Sequence, residues 1–244
     1  MKHYVTVAAA AALVLLSLSP VKAQNTEWYP TRTVRIIVPF QAGGPIDTIG
    51  RILAQHFNEI WGQPFVVENR TGAGGNLGSD AVAKAAPDGY TLGLASGGTH
   101  GANVTLFGDK MPYDPVKDFT AITLLAQMKN VLTVHPALGV KDLNAFVAKA
   151  KTQAEPLSFG SAGIGTVQHL TGEMFKAATR LNLVHITYRG QAQALPDLLS
   201  GRIAMMFLGA GDAAEYIRSG NLIAIGLSST ERSTLASKLT GALC

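Results

Sequence analysis

The sequence has 244 residues, of which 47% are hydrophobic and 15% charged, with 26 glycines and a formal net charge of +4. This composition excludes a disordered chain and fits one large or two small globular domains. The only cysteine, Cys244, excludes an internal disulfide and a thiolate metal cluster, and the lack of a Lys/Arg cluster argues against nucleic acid as a partner.

The first 23 residues have the pattern of a signal peptide. Lys2 supplies a positive start, residues 5–18 are apolar, and Val21-Lys22-Ala23 resembles a cleavage site. A membrane anchor is the alternative, but the apolar run is shorter than the roughly 20 residues that span a bilayer. Without Lys2 and Lys22 the formal charge falls from +4 to +2. We therefore predict secretion of a mildly basic mature protein.

A strand, a glycine turn and a helix open the mature chain. The β-branched run Val34–Val38 predicts a buried strand, which Pro39 ends because proline cannot donate to a ladder. Gly43 and Gly44 predict a turn, and Pro45 suits the first position of a helix that runs to about residue 59. Its predicted apolar face comprises Ile46, Ile49, Ile52, Leu53 and Phe57. A helix N-terminus that follows a glycine turn attracts anions.

Strands and helices then alternate, which predicts right-handed βαβ units and parallel sheets. The predicted strands are 65–68, 90–95, 121–126, 131–135, 157–160, 183–187, 203–208 and 222–227. The predicted helices are 77–86, 142–151, 192–199, 213–219 and one after Thr166. That last helix is expected to bury Val167, Leu170, Met174, Phe175 and Ala178, and Asp142 is a candidate helix cap. A change in composition near residues 111–119 divides the chain into two βαβ sets.

Three glycine turns each separate a strand from a helix: residues 42–44, 72–75 and 161–166. In open α/β sheets, ligands bind beyond the carboxyl ends of the strands. Three helix N-termini at one cleft would suit a small carboxylate, but each turn could also be a plain tight connection. Nucleotide binding is poorly supported, because Leu77 occupies the third glycine position of a dinucleotide motif and no turn is followed by a P-loop Lys-Ser/Thr pair.

The polar residues near these turns leave several alternatives open. Ser161, His169 and Asp197 are the residue types of a hydrolase triad, but the sequence around Ser161 lacks the Gly-x-Ser-x-Gly elbow. His169, one turn into a helix, is a candidate ligand contact, and His185 is expected to be a hydrogen-bonded core or edge residue. Asp47 either orders its own loop or accepts a hydrogen bond from a ligand.

The histidines at positions 100, 135, 169 and 185 lack the spacing of metal ligands, so we expect no metal site.

Several long motifs together resemble one family, the extracytoplasmic solute receptors of tripartite tricarboxylate transporters, also called Bug proteins. The similarity runs from Tyr29 to about Arg232. The motifs are Ile37-Val-Pro-Phe-Gln-Ala-Gly-Gly-Pro-Ile-Asp47, Val67-Glu-Asn-Arg-Thr-Gly-Ala-Gly-Gly-Asn76, Ala86-Pro-Asp-Gly-Tyr-Thr91, Tyr113-Asp-Pro-Val-Lys-Asp-Phe119, His169-Leu170 and Tyr188-Arg-Gly190.

The resemblance implies a type II-like periplasmic binding protein with two α/β lobes, each a mainly parallel sheet flanked by helices. We place lobe 1 at residues 24–122 and lobe 2 at residues 123–240, after the signal peptide 1–23. Family members continue further, with a segment that returns to lobe 1. Because the pattern is lost after Arg232, we expect this segment to be missing and the chain to be truncated.

The resemblance also implies a function without catalysis or cofactors. A periplasmic monomer would bind a di- or tricarboxylate, an acidic amino acid or an aromatic acid, and deliver it to the transporter's membrane subunits. The implied ligand contacts are Phe40, Ala42, Gly43, Gly44, Asp47, Gly74, Ser96 and Thr99 in lobe 1, and Ser161, Gly163, Thr166 and His169 in lobe 2. The alternatives are a ligand-sensing adaptor for a signalling receptor and a Ser/His hydrolase.

Overall fold

The computed structural model describes residues 29–229, which form two α/β lobes around two separate sheets. The predicted signal peptide and the loss of the family pattern after Arg232 lie outside these residues. The two-lobed fold class is confirmed, whereas the lobe boundary at residues 122 and 123 stays a prediction. Among the helices described, none combines the length and apolar character that a membrane crossing requires.

Lobe 1 is built on a three-stranded parallel sheet in the order β2-β1-β3. Its strands are β1 (Val34–Val38), β2 (Phe65–Asn69) and β3 (Thr91–Gly93), and its helices are α1 (Pro45–Trp61), α2 (Asn76–Ala83) and the short α3 (Asn103–Phe107). Strand β1 is central and almost fully buried, as its β-branched sequence predicts. Helix α1 begins at Pro45, as predicted.

Lobe 2 contains a five-stranded mixed sheet in the order β6-β5-β7-β4-β8. Its strands are β4 (Asn130–Val134), β5 (Leu157–Ser161), β6 (Leu183–Thr187), β7 (Met205–Gly209) and β8 (Ile223–Leu227). Its helices are α4 (Leu143–Thr152), α5 (Val167–Thr179), α6 (Gln191–Leu199) and α7 (Ala210–Arg218). Strand β5 pairs in parallel with β6 and β7, while β4 runs antiparallel to β7 and β8. The side chain of Asp142 caps α4, as predicted.

The predicted strand at residues 121–126 is absent from the described structure, where this segment has no regular conformation. Ile122 and Leu124 are 78% and 73% exposed. An apolar run becomes a strand only when a neighbour accepts its backbone hydrogen bonds, and none of the eight strands described pairs with these residues. The sequence prediction is therefore wrong here, because local pattern does not supply the partner strand.

The buried face of α5 also differs from the prediction. Val167, Met174 and Ala178 are exposed, and Leu170 is only half-buried. The helix approaches the sheet through Gly172, where an added Cβ would overlap the ring of Phe159. Residues 167, 174 and 178 lie on the opposite side of a 3.6-residue helix from this glycine. The prediction was based on the spacing of apolar side chains. It therefore missed a buried face whose central residue, Gly172, has no side chain.

Candidate functional site

Lobe 1 has three turns that lie at one edge of its sheet, because its parallel strands end there, and we number them first, second and third in chain order. The segment 40–44 follows β1, residues 72–75 follow β2 and residues 96–99 follow β3. Helices α1 and α2 begin directly after the first two turns, and neither has a side-chain cap. Two helix N-termini and their dipoles therefore converge on this edge, where the Gly43, Gly44 and Gly75 N–H groups donate within their own turns.

The buried side chain of Asp47 holds the first turn in place through hydrogen bonds. Its buried carboxylate accepts hydrogen bonds from the Gly43 backbone N–H at 2.9 Å and from Asn69 Nδ2 at 2.8 Å. The Arg51 guanidinium donates two more, from Nε at 2.9 Å and from Nη2 at 3.1 Å. Asn69 also donates to the Phe40 carbonyl at 2.9 Å, which ties the turn to the end of β2.

These contacts support the loop-ordering alternative for Asp47. Burial by itself would raise the pKa of this carboxyl, but the hydrogen bonds from Arg51, Gly43 and Asn69 and the charge of Arg51 outweigh it and hold the pKa below its usual value. Both oxygens already accept two hydrogen bonds each, and the residue is 2% exposed. A direct contact of Asp47 with a ligand stays a prediction.

The second and third turns pack against the first. An added Cβ on Gly75 would lie 2.6 Å from Thr99 Cγ2 and 3.0 Å from Phe40 Cζ, so only glycine allows the three turns to meet. Thr99 is fully buried, and its hydroxyl accepts a hydrogen bond from the Ser96 N–H at 3.0 Å. The Tyr113 hydroxyl is 2.6 Å from the Thr99 carbonyl oxygen, which it can donate to.

The turn of lobe 2 follows β5 and precedes α5. The Thr166 hydroxyl donates to the Gly163 carbonyl at 2.7 Å and caps α5 by accepting from the His169 N–H at 3.4 Å. The Gly165 N–H donates to His169 Nδ1 at 3.2 Å, which requires that nitrogen to be unprotonated. At the start of the turn, Ser161 Oγ lies 2.6 Å from His185 Nε2. The structure therefore brings together all four predicted lobe 2 residues and adds His185.

Three stacked rings support this turn from the core. His185 lies between Phe159, with ring centroids 4.8 Å apart, and His169, with centroids 4.3 Å apart. Burial, and next the neighbouring His169, lower the pKa of His185 to about 4. Burial also lowers the pKa of His169. Both imidazoles are thus neutral near pH 7 and act as hydrogen-bonding groups rather than as charges.

The turns of the two lobes meet. An added Cβ on Gly98 would lie 2.6 Å from the Gly165 carbonyl oxygen, and one on Gly74 would overlap the Ile164 carbonyl. The first turn is also in contact with lobe 2, because a Cβ on Gly190 would lie 2.6 Å from Gln41 Oε1. The glycine turns thus face each other so closely that a side chain at Gly74 or Gly98 would meet the backbone of lobe 2, whereas one at Gly190 would displace the Gln41 side chain.

The structure does not assemble the hydrolase triad. Ser161 is paired with His185 rather than His169, and Asp197 accepts hydrogen bonds from the Tyr188 hydroxyl at 2.7 Å and from Arg202 at 3.0 Å. Within residues 29–229, no group of His, Cys, Asp and Glu side chains could hold a metal ion. A shallow cleft at the other end of the first sheet is lined by Arg32, Arg35, Asp88 and Tyr90, far along the strands from the turns.

Sequence reasoning missed four residues that shape the site. Asn69 directly follows the predicted strand 65–68 and lies in a family motif, so its place at the sheet edge could have been inferred, whereas His185 is predicted only as a hydrogen-bonded core or edge residue. Gly190 lies in a family motif and follows β6, so its place at the edge could have been inferred. Asn103 gives no signal in the sequence, yet its buried side chain donates to Asn76 at 2.7 Å and lies against Gly165.

Comparisons with known proteins identify relatives of this chain. BugT of Bordetella pertussis is 37% identical over 216 residues, which are 88% of this chain and 65% of BugT. This chain therefore spans about two thirds of the length of that relative. A Rhodopseudomonas palustris protein, Rpa4515, solved with adipate, is 30% identical with a TM-score of 0.80, covering 88% of this chain and 75% of its own.

A second structure from the same organism, MatC (Rpa3494) with bound malate, is 35% identical with a TM-score of 0.78. The similarity covers 84% of this chain and 68% of that one. Residues 49–240 match the family described as the tripartite tricarboxylate transporter family receptor, TctC. The family is one of periplasmic solute-binding receptors rather than enzymes, and this chain belongs to it.

Proposed function

We propose that this chain is a periplasmic receptor that captures a small carboxylate and presents it to the membrane subunits of a tripartite tricarboxylate transporter. One observation supports this most strongly: the glycine turns of the two lobes face each other, and each turn combines backbone N–H groups with the start of a helix. Helix N-termini and exposed amides bind anions without a charged side chain.

The donors around the turns favour an acid over other solutes. The segments 40–44, 72–75, 96–99 and 161–166 contain no Lys or Arg. They contribute amides and the hydroxyls of Ser96, Thr99 and Ser161, which can donate to a carboxylate, whereas the Thr166 hydroxyl donates to the Gly163 carbonyl and holds the turn in shape. Recognition by dipoles rather than by a cation tolerates many acids. We therefore propose di- or tricarboxylates, acidic amino acids or aromatic acids as ligands, in keeping with the malate and adipate of the two related structures.

The proposed contacts are the twelve residues predicted from the sequence. In lobe 1 they are Phe40, Ala42, Gly43, Gly44, Asp47, Gly74, Ser96 and Thr99, and in lobe 2 they are Ser161, Gly163, Thr166 and His169. Asp47 would act on the ligand through the turn that it orders, or through a bridging water. The proposal further includes export by the signal peptide and a monomeric receptor.

The test is a thermal-shift and calorimetry screen of the whole chain against L-malate, adipate, citrate, L-glutamate and benzoate. A ligand at about 100 times its Kd stabilises the native state by about 2.7 kcal/mol, or roughly 5–10 °C in Tm for a chain of this size. The matched control is the uncharged diamide of the best acid, which should give no shift. Equal binding of acid and diamide, or no shift with any acid, would contradict the proposal.

Delivery to the transporter needs a separate test. The tagged chain is incubated with detergent-solubilised membrane subunits, with and without the identified acid. Retention that increases with the acid supports a transport receptor. Retention by a sensor kinase, with none by the membrane subunits, would instead support the sensing alternative.

A further inference from the structure

We propose that His185 is a positioning residue that sets the hydrogen-bonding direction of the Ser161 hydroxyl, and that an acid binds when His185 donates its Nε2–H to Ser161. The inference deepens the proposed function and rests on it. It concerns a residue that lies beneath the turn of lobe 2, outside the twelve proposed contacts.

The argument begins with the single hydrogen of the Ser161 hydroxyl. Ser161 is fully buried, and its oxygen has three polar neighbours. The Gly163 N–H, at 3.2 Å, donates to it, and the Gly163 carbonyl oxygen, also at 3.2 Å, can only accept from it. The third neighbour is His185 Nε2, at 2.6 Å, which can either donate or accept. The tautomer of His185 therefore decides where the hydroxyl hydrogen points.

Each tautomer has a different consequence for the turn. If Nε2 is unprotonated, Ser161 must donate to it, and the hydroxyl can only offer a lone pair to the turn. If Nε2 carries the proton, it donates to Ser161, and the hydroxyl hydrogen points towards Gly163. An incoming carboxylate can accept that hydrogen, because the Gly163 carbonyl keeps its shorter hydrogen bond from Thr166, at 2.7 Å. Only the second tautomer suits an anion.

The ring itself is held in place, so only the proton is free to change position. His185 is stacked between Phe159, which is 1% exposed, and His169. The charged groups that act on it are Glu173 and Lys176, both on α5, together with His169 when that is protonated. The Gly165 N–H donates a hydrogen bond to Nδ1 of neutral His169. The two histidines thus support both ends of the turn, one through Ser161 and one through Gly165.

The tautomer is read directly by ¹⁵N–¹H correlation spectra of the imidazoles in the whole chain, with and without an acid from the screen. We expect His185 to carry its proton on Nε2 in the complex. The substitution His185→Gln keeps an amide donor near that position, so this variant should bind the acid within about threefold of wild type. His185→Leu removes the donor and should weaken binding about tenfold. The exposed His56 provides a matched control, His56→Gln, which should leave binding unchanged.

The outcomes separate this inference from the proposed function. A wild type that binds none of the acids overturns the proposed function, and the role of His185 in binding with it. A wild type that binds an acid while His185 carries its proton on Nδ1 overturns the inference alone. Equal weakening in His185→Gln and His185→Leu also overturns it, because the ring would then matter rather than the donor. If His185→Leu does not fold, the wild-type spectra and His185→Gln still decide.

Discussion

Replacing Asp47 by asparagine should destabilise the protein by about 2 kcal/mol, since two donors would then face an amide NH₂. The carboxylate accepts four hydrogen bonds, two on each oxygen, whereas asparagine keeps one accepting oxygen. A lost hydrogen bond to a charged, buried acceptor costs about 1.5–3 kcal/mol. The contribution of the Arg51 hydrogen bonds to this free energy is smaller, because the Arg51 side chain is 56% exposed and solvent screens its charge. The remaining loss falls mainly on the Gly43 or Asn69 contact.

Urea denaturation followed by circular dichroism measures this loss as a lower midpoint at an unchanged slope. The matched control is Asp142→Asn, since Asp142 makes one capping hydrogen bond at an exposed helix end and asparagine is an equally good cap. We expect less than about 0.5 kcal/mol there. A loss at Asp47→Asn as small as that of the control would refute the argument that this carboxylate holds the first turn.

The same variant has a defined pH dependence. The native state depresses the pKa of Asp47, so the ionised carboxylate stabilises the fold above the pKa of the unfolded chain, about 3.9. This contribution disappears as the pH falls through the lower, native pKa. The difference in unfolding free energy between wild type and Asp47→Asn should therefore be constant near pH 7 and shrink in acid. A difference that grows in acid would mean that the sign of the shift is wrong.

Two further predictions use glycines. Gly43 and Gly62 both have positive φ, at 81° and 62°, with no atom within 4 Å of an added Cβ, so Gly43→Ala and Gly62→Ala should each cost about 1 kcal/mol in a urea titration. Calorimetry should show weaker acid binding only for Gly43→Ala, and equal affinities would remove the first turn from the site. Gly172→Ala should lower the unfolding free energy by about 1–3 kcal/mol by forcing a Cβ into Phe159. An unchanged urea midpoint would contradict that packing.

Much of lobe 1 could be predicted because its signals are local. Val34–Val38 is β-branched, Pro39 ends it, and Pro45 starts the helix, so strand, turn and helix follow from backbone chemistry alone. The parallel arrangement then places the three turns at one edge without further information. Spacing and residue type were sufficient to identify the turns as candidates, although no single turn distinguished a binding site from a tight connection.

The remaining features depend on partners that are distant in sequence. Asp47 orders the turn only because Asn69 and Arg51 reach it, and the first of these is 22 residues away. His185 matters because it lies beneath Ser161, 24 residues earlier, on the neighbouring strand. Residues 121–126 failed as a strand for the same reason, since a strand is defined by its neighbour. Local sequence patterns therefore predict helices, strands and turns. Contacts between segments that are distant in sequence determine which side chains support the site.

The contact between the lobes allows a direct test of whether the two lobes close on the ligand. An added Cβ on Gly98 would lie 2.6 Å from the Gly165 carbonyl oxygen, while one on the adjacent Gly97 would meet no atom within 4 Å. Neither glycine has a positive φ, so alanine strains neither backbone and only Gly98→Ala disturbs the contact.

Gly98→Ala should therefore weaken acid binding about tenfold or more, because relieving the overlap costs roughly 1–3 kcal/mol where the two turns touch. Gly97→Ala should bind as wild type. Small-angle X-ray scattering should show a smaller decrease in radius of gyration on ligand addition for Gly98→Ala than for Gly97→Ala. Wild-type affinity in Gly98→Ala would contradict closure of the lobes on the acid, because a Cβ at this contact would keep the two turns apart.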